Sequence, residues 1–194
     1  MKIYFDGCSR MWGGELENRE QERFSALVCK KLNAEEHNFA SAGASNERIV
    51  RQLLVENDIR DYDLAVIQMT FPSRTEYYDQ KWRKVTIQDT LLWRPWKKKK
   101  SREHQDFWTY YYDKIHCEYQ GKIREMITYQ TIKNYCKVNS VPLILMTNNN
   151  WDTDLKFDIE IEHTRYPKTS GGHESKEGHQ ILAEDILSLL TAHK

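Results

Sequence analysis

The chain opens with Met1-Lys-Ile-Tyr-Phe-Asp-Gly-Cys-Ser-Arg-Met-Trp-Gly-Gly14. In this stretch a short apolar strand, Ile3 to Phe5, runs into a Gly-x-Ser turn, and a polar, helix-compatible segment begins at Glu15. Open α/β sheets bind their ligands at the carboxyl edge of the strands, where helix N-termini offer unpaired N–H groups to negative charge. The order strand, turn, helix therefore places the hydroxyl of Ser9 at that edge, where a nucleophilic serine is expected.

The composition is that of a globular protein with a substantial core. The chain has 194 residues, of which 39% are hydrophobic and 30% are charged, and its 29 basic and 29 acidic residues give a net charge of zero. This length favours one domain, and the charge balance gives no global field that would attract nucleic acid or a membrane. The sequence shows no apolar run of the roughly 18 residues that a membrane span needs, and no apolar signal core. Four cysteines without a CxxC pair predict free thiols and a cytoplasmic location.

Strands and helices alternate along most of the chain. Apolar runs predict strands at 2–6, 38–40, 63–70 and 142–147. Helical spacing predicts helices at about 15–32, from Ser45 or Asn46 onward, at about 103–138, and at about 177–190. The alternation indicates an α/β sandwich with a mainly parallel sheet. An aromatic and basic insertion at about residues 71–105 interrupts it.

Two segments far apart in the sequence look chemically complementary. One is the Ser9 turn, and the other is His173-Glu-Ser-Lys-Glu-Gly-His179, which opens the last predicted helix. A serine hydroxyl is a weak nucleophile until a base takes its proton, and histidine titrates near neutral pH. We therefore expect the last loop to bring the imidazole of His173 to Ser9. Cys8 is the alternative nucleophile, because a thiolate at a helix N-terminus has a lowered pKa. His179 is interpreted as a structural histidine.

Three blocks of the sequence resemble the SGNH (GDSL-like) hydrolases. The first block, Gly7-Cys8-Ser9 followed by Trp12-Gly13 and Glu15-Leu16, is similar to a branch with the motif Gly-Cys-Ser-x-x-Trp-Gly. The other two are Asn38-Phe-Ala-Ser-Ala-Gly43-Ala-Ser-Asn46 and His173 with Gly178-His179. They follow the order of the family and bracket nearly the whole chain. The resemblance implies a three-layer α/β/α sandwich with a flavodoxin-like sheet, as a single domain over residues 1–194.

The resemblance also implies a site and a reaction. Ser9 would be the nucleophile and His173 the general base of a serine esterase or deacetylase. The reaction would be hydrolysis of an ester through an acyl-enzyme, often an acetyl ester on a sugar, with no cofactor and no metal. Oxyanion donors of the kind expected here typically contribute about 3–4 kcal/mol each. The residues implied for the oxyanion hole are Ser9, Gly43 and Thr70, and those for substrate binding are Asn46 and Arg74.

The chain departs from the family pattern at two places. The family usually carries an aspartate two or three residues before the histidine, where this chain has Gly171 and Ser170. A Ser–His dyad, a backbone carbonyl or a distant acid would then orient the imidazole. The asparagine of the usual third block is replaced by Thr70-Phe-Pro-Ser-Arg74. The third oxyanion donor is therefore absent, or is Thr70, or is Arg74.

The segment from Lys81 to Arg102 supports a competing hypothesis. It has nine basic residues and one acidic residue, interleaved with Trp82, Trp93 and Trp96. Such a surface can follow a phosphate backbone or grip an anionic polysaccharide, or it can be a solvated lid beside the site. A binding module with weak or no catalysis would use residues 71–112 to hold a glycan, nucleic acid or protein. We expect a small-molecule or glycan ester as partner, with nucleic acid less favoured, no membrane, and the oligomeric state open.

Overall fold

Five parallel strands form the sheet at the centre of the molecule. The computed structural model describes residues 1–85, 102–147, 154–161 and 164–192. With two further strands that form a separate hairpin, the strands of the described residues are β1 (Lys2–Asp6), β2 (Glu35–Asn38), β3 (Leu64–Met69), β4 (Thr75–Asp79), β5 (Lys81–Val85), β6 (Leu143–Thr147) and β7 (Ile159–Glu160). The main sheet has the order β2-β1-β3-β6-β7, and every adjacent pair is parallel. Counted along the chain this is the flavodoxin-like order, so the predicted sheet is confirmed.

Helices cover both faces of this sheet. They are α1 (Ser9–Trp12), α2 (Arg19–Glu22), α3 (Phe24–Leu32), α4 (Asn46–Arg51), α5 (Arg102–Tyr110), α6 (Glu118–Val138) and α7 (Lys176–Ala192). Because side chains alternate along a strand, Ile3 and Phe5 of β1 pack in a core with α3 and α7, whereas Tyr4 packs in a second core with α4 and α6. The three-layer α/β/α sandwich follows. In the described ranges, no helix is long and apolar enough to cross a bilayer.

The single helix predicted at about residues 15–32 is wrong, because two helices, α2 and α3, occupy this region and a third, α1, precedes it. Helix α1 begins at Ser9 and ends at Gly13, whose φ of 82° is left-handed. Glu15 is also left-handed, with φ 68°. A second break lies at Arg23, which is extended, and the next N–H, that of Phe24, donates to the ring of His179 at 3.1 Å. A side-chain acceptor from the far end of the chain thus takes the place of a helical carbonyl.

Two other predicted boundaries also shift. The second strand was predicted at 38–40 and lies at Glu35–Asn38, a polar edge strand that has no apolar run to mark it. The helix predicted over 103–138 breaks at His116, and not at the expected Gly121. Cys117 caps α6 by accepting a hydrogen bond from the N–H of Gln120. Gly121 lies inside α6 against Pro72.

An antiparallel hairpin, β4 and β5, follows β3 outside the main sheet. On one face, Glu76 accepts two hydrogen bonds from Arg51 of α4, at 2.8 and 3.0 Å. On the other face, the ring of Tyr77 lies 5.5 Å from that of Trp108 of α5. The hairpin therefore lies between these two helices. The remainder of the predicted basic segment, with Trp93, Trp96 and Lys97 to Lys100, lies outside the described residues.

Candidate active site

Three loops meet at the carboxyl edge of the sheet. They follow β1, β2 and β3, which are neighbours in the order β2-β1-β3. The chain crosses from β2 to β3 over β1, so the crevice of the switch point lies at these strand ends. The N–H of Ser41 donates to the carbonyl of Gly7 at 3.1 Å and joins the first two loops. The topology therefore brings the predicted Ser9, Gly43 and Arg74 loops to one edge.

The Ser9 and His173 side chains are in contact. His173 Nε2 lies 2.9 Å from Ser9 Oγ, although the two residues are 164 positions apart. His173 is on the loop that leads into α7, and this loop is pinned by a bridge between Lys168 and Glu174. The pair predicted from the two ends of the chain thus has the geometry of a nucleophile and its base.

A buried ion cluster holds these two segments together, and we call it the strut. Arg10, next to the serine, and Lys168 both donate to one carboxylate oxygen of Glu174, next to the histidine. The Glu174 side chain is fully buried and that of Arg10 nearly so. Although burial raises it, the charges of Arg10 and Lys168 leave the pKa of Glu174 below its ordinary value. The strut therefore fixes the distance between the serine and the histidine.

The structure separates Ser9 from the alternative nucleophile, Cys8. Cys8 is 1% exposed, and its thiol points at Oε1 of Gln68 at 3.6 Å. The same amide oxygen accepts the N–H of Met11 at 3.3 Å, so Gln68 supports the turn from below. A Cβ on Gly7 would lie 2.9 Å from the Gln68 Cβ, which explains the glycine. Cys8 is a core residue, and only its neighbour faces the histidine.

Glu15 lies on the other side of the imidazole. Its Oε2 is 3.3 Å from His173 Nδ1, within ion-pair distance but outside hydrogen-bond geometry. The hydroxyl of Thr169 donates to the same carboxylate oxygen. This bond, together with the contact to His173, lowers the pKa of Glu15. Sequence reasoning left a distant acid open but did not name this residue, although it stands in the first block.

The loop of residues 41–44 is the one predicted to contribute to the oxyanion hole, and we call it the oxyanion loop. It contains the left-handed Gly43, with φ 72°. The Ala44 N–H closes this turn on the Ser41 carbonyl at 2.9 Å. Among the residues that the structure describes, no group accepts a hydrogen bond from the N–H of Ser9 or of Gly43. Both N–H groups are therefore available to a substrate oxygen. Lys84 of the hairpin donates to Ser41 and to the Ala42 carbonyl, which ties β5 to this loop.

Two predicted site residues are engaged elsewhere. The Asn46 side chain accepts the N–H of Thr70 at 2.8 Å and donates to its carbonyl at 3.0 Å. This exchange uses both groups of the Asn46 amide and the Thr70 N–H. These bonds join α4 to the end of β3. The substrate-binding role expected for Asn46 and the oxyanion role expected for Thr70 stay predictions.

Arg74 lies above this pair, beside the oxyanion loop. Its Nη1 donates to Thr70 Oγ1 at 2.7 Å and to the Ala44 carbonyl at 3.4 Å. These acceptors are neutral, and Arg74 has no carboxylate within ion-pair distance in the described ranges. A half-buried guanidinium next to Gly43 thus remains the candidate substrate contact at this end of the site.

His179 is part of the core. It is fully buried, stacks on the Phe24 ring at 5.6 Å, and accepts the Phe24 N–H on Nδ1. Burial lowers its pKa to about 4, so the ring is neutral at physiological pH. The described part of the chain also holds no group of three or more His, Cys, Asp or Glu side chains placed to bind a metal ion.

Comparisons with known proteins identify the fold. Neither a protein-family model nor a curated protein sequence matches the chain. Solved structures do: the esterase EstA from Pseudoalteromonas sp. superposes with a TM-score of 0.55 at 8% identity, covering 98% of this chain and 97% of EstA. TesA gives 0.53 at 9% identity, covering 98% of each chain. Axe2, an acetylxylan esterase from Geobacillus stearothermophilus, gives 0.52 at 14% identity, covering 96% of this chain and 92% of Axe2.

These likenesses extend over nearly the whole length of both chains, and they agree with the strand order and the helix layers described above. At sequence identities of 8 to 14%, these likenesses show the fold alone. The chain therefore has the fold of the SGNH (GDSL-like) esterases.

Proposed function

We propose that the protein is a serine esterase that forms an acyl-enzyme at Ser9, with His173 as its general base. The observation that carries this proposal is the 2.9 Å contact between Ser9 Oγ and His173 Nε2 at the carboxyl edge of the sheet. A hydroxyl and an imidazole in hydrogen-bond contact can transfer a proton directly. The strut between Arg10 and Glu174 supports the proposal, because it holds that contact from both sides.

The reaction follows from this geometry in two halves. Nε2 of His173 takes the Ser9 proton as Oγ attacks the ester carbonyl carbon, and the imidazolium then gives the proton to the departing alcohol oxygen. The acyl group remains on Oγ. In the second half the neutral imidazole takes a proton from water, the hydroxide attacks the acyl carbon, and the proton returns to Oγ as the acid leaves.

The carbonyl oxygen gains negative charge in both halves. The N–H groups of Ser9 and Gly43 have no other acceptor among the described residues and would hold this oxygen. A preorganised donor of this kind typically contributes about 3–4 kcal/mol to lowering the barrier. Arg74, next to the Gly43 loop, would contact the substrate or add positive charge at the same place.

The substrate class is an acyl ester of a small alcohol or sugar, with acetyl esters of carbohydrates favoured. The support comes from fold neighbours that are named as esterases, among them an acetylxylan esterase. The guanidinium of Arg74 beside Gly43 suits an oxygen-rich substrate better than a long alkyl chain.

A direct assay tests the proposal. The wild type and the variants Ser9→Ala and His173→Ala are incubated with p-nitrophenyl acetate and with acetylated xylooligosaccharides. The control is Ser188→Ala, on the exposed face of α7, where the hydroxyl donates only to the Glu184 carbonyl. We expect each site variant to lose at least about 1,000-fold in kcat/KM and the control to match the wild type. A fluorophosphonate should label Ser9, as located by peptide mass spectrometry. Equal rates in all four proteins would refute the proposal.

A glycan-binding role without catalysis is the second candidate, and the hairpin gives it specific support. Tyr78 and Trp82 are 65% and 46% exposed, and their rings lie 5.3 Å apart. Exposed aromatic pairs of this kind suit stacking on sugar rings. If Trp82→Ala weakens glycan binding while no esterase activity is found in the wild type, this role replaces the first.

A further inference from the structure

We infer that Glu15 is the acid that positions His173 and stabilises it when it carries the Ser9 proton. The inference rests on the proposed function, since it concerns the base of that reaction. Glu15 Oε2 lies 3.3 Å from Nδ1, on the ring side opposite Ser9. Among the described residues no other carboxylate lies within ion-pair distance of this imidazole. Glu15 acts through the histidine, and is therefore a positioning residue.

The backbone at Glu15 is unusual for a residue of this type. Its φ is 68°, in the left-handed region that residues with a Cβ seldom occupy. Such a conformation is strained and persists only where the surroundings fix it. A helical conformation at this position would carry the carboxylate away along the helix predicted from the sequence. The left-handed turn instead directs it to the imidazole.

The surroundings make room for this carboxylate and hold it. A Cβ on Gly171 would lie 1.6 Å from Glu15 Oε1, so only glycine at 171 allows the observed position. The hydroxyl of Thr169 donates to Oε2. On the other side, a Cβ on Gly14 would lie 3.1 Å from the Cδ2 atom of His173, so this glycine gives the ring its space. The carboxylate and the imidazole thus occupy a site shaped by two glycines.

The chemistry requires a partner for Nδ1. A neutral imidazole carries one proton, and Nε2 can accept from Ser9 only if this proton is on Nδ1. A carboxylate facing Nδ1 selects this tautomer and stabilises the imidazolium that forms during acylation. In the resting structure Nδ1 makes no hydrogen bond within the described part of the chain. A small rotation of the Glu15 side chain, which is about one-third exposed, would close the bond when substrate binds.

The first test compares Glu15→Gln and Glu15→Asp with the matched control Glu20→Gln, an exposed carboxylate of α2. We expect Glu15→Gln to lower kcat by about 100- to 10,000-fold with little change in KM, and the acid limb of its pH–rate profile to move to lower pH. Glu15→Asp, which keeps the charge, should recover part of the rate, and Glu20→Gln should match the wild type. A Glu15→Gln enzyme with normal kcat and an unmoved acid limb would overturn the inference while leaving the Ser9 mechanism in place.

A second variant tests the geometry without altering the acid. Gly171→Ala introduces a Cβ into the volume of the carboxylate and should produce the same loss. In a Glu15→Ala background the carboxylate that the new Cβ would displace is absent, so Gly171→Ala should lower kcat little further. Full additivity of the two losses would contradict the inference.

A third measurement does not depend on turnover. ¹⁵N chemical shifts of His173 report its tautomer and its titration midpoint in the resting protein. We expect the Nδ1–H form in the wild type and a lower midpoint in Glu15→Gln, whether or not the assayed esters are hydrolysed. An identical tautomer and midpoint in both proteins would overturn the role of Glu15, and thermal unfolding of each variant shows that the fold is kept.

Discussion

At the scale of single residues, the candidate site depends on which side chains of the Ser9 turn face outward and which face the core. Cys8 and Ser9 are adjacent, yet the thiol contacts Gln68 while the hydroxyl contacts His173. Gln68 is fully buried in the middle strand of the sheet and receives both the thiol and a backbone N–H of α1. A polar residue within an otherwise apolar strand thus sets the direction of the turn.

The burial of the thiols leads to a prediction on their reactivity. Cys8, Cys29 and Cys136 are buried, and burial raises the pKa of Cys29 to about 12 and that of Cys136 to about 11. Cys117 is exposed. Under native conditions at pH 8, we expect iodoacetamide to modify Cys117 at least about ten times faster than the other three, because the thiolate is the reactive form. Peptide mass spectrometry over time measures the rates, and urea-unfolded protein is the control. Fast native labelling of Cys8 would show that the turn faces the other way.

At this scale the sequence predicted the contact between Ser9 and His173, but not the residues that support it. Ser9 and His173 could be predicted because each lies in a block with a known pattern. Glu15 stands in the first of those blocks, but its contact with His173 depends on a left-handed backbone. Glutamate seldom adopts this conformation, so the sequence gives no sign of it. Gln68 lies in an apolar run that reads as core. The Asn46 side chain bonds to the backbone N–H and carbonyl of Thr70, a contact that the sequence pattern did not predict.

At the scale of elements, the hairpin β4–β5 lies outside the parallel sheet, and a buried ion pair links it to α4. The side chain of Glu76 is 4% exposed and receives two hydrogen bonds from Arg51. Arg51 also lies under the Trp82 ring, 4.3 Å from its centroid. The link joins the hairpin to α4, whose N-terminus adjoins the oxyanion loop.

Glu76→Gln should therefore destabilise the protein. Arg51 keeps its ion pair with Glu56 but loses the charge of its buried partner, and losing a charge-assisted hydrogen bond of this kind costs about 1.5–3 kcal/mol. The control is Glu118→Gln, which removes the exposed pair with Lys122 on α6 and should cost under about 0.5 kcal/mol. Urea unfolding at pH 7 measures both. Equal midpoints for the two variants would mean that the hairpin is held by other contacts.

The element boundaries show why sequence periodicity succeeded in some places and failed in others. The buried strands β1, β3 and β6 lie where their apolar runs predicted them, since both faces of each strand pack in a core. The prediction of one helix at 15–32 failed for two reasons: the backbone at Glu15 is left-handed, and the Phe24 N–H bonds to His179, which is distant in sequence. Helical spacing reports only the local pattern of apolar residues, so it gives no sign of either feature.

At the scale of the whole molecule, His179 joins α7 to α3 and should make stability depend on pH. Its pKa is about 4 in the fold, against an ordinary value of 6.5. Between these values the unfolded chain binds a proton that the folded protein refuses, so stability falls as pH decreases from 6.5 to 4. The full effect is on the order of 3 kcal/mol. His179→Asn keeps an acceptor for the Phe24 N–H and should flatten this part of the profile in urea unfolding from pH 4.5 to 7. If stability depends on pH with the same slope in both proteins, titratable groups other than His179 cause that dependence.

The strut leads to a second prediction at this scale. Glu174→Gln leaves Arg10 and Lys168 buried without their shared counter-charge, which should cost about 3–5 kcal/mol. Activity should fall with it, because the variant releases the histidine loop from α1. Glu184→Gln, an exposed carboxylate of α7, is the control and should keep wild-type stability. Full activity in Glu174→Gln would show that the loop holds its position without the strut.

At this scale the alternation of strands and helices predicted a mainly parallel sheet, and the family resemblance implied its flavodoxin-like order. The buried ion cluster that joins the two ends of the chain was not predictable from pattern alone. It requires that Arg10, Lys168 and Glu174 come together in the interior, and their spacing in the sequence does not predict this contact.

The 164 positions between Ser9 and His173 have a consequence for the synthesis of the protein. A ribosome makes the Ser9 turn well before the loop that carries His173, so the two side chains can meet only after that loop has been made. If Ser9 and His173 act as proposed, a nascent chain is unable to hydrolyse esters until the loop has docked beside the Ser9 turn.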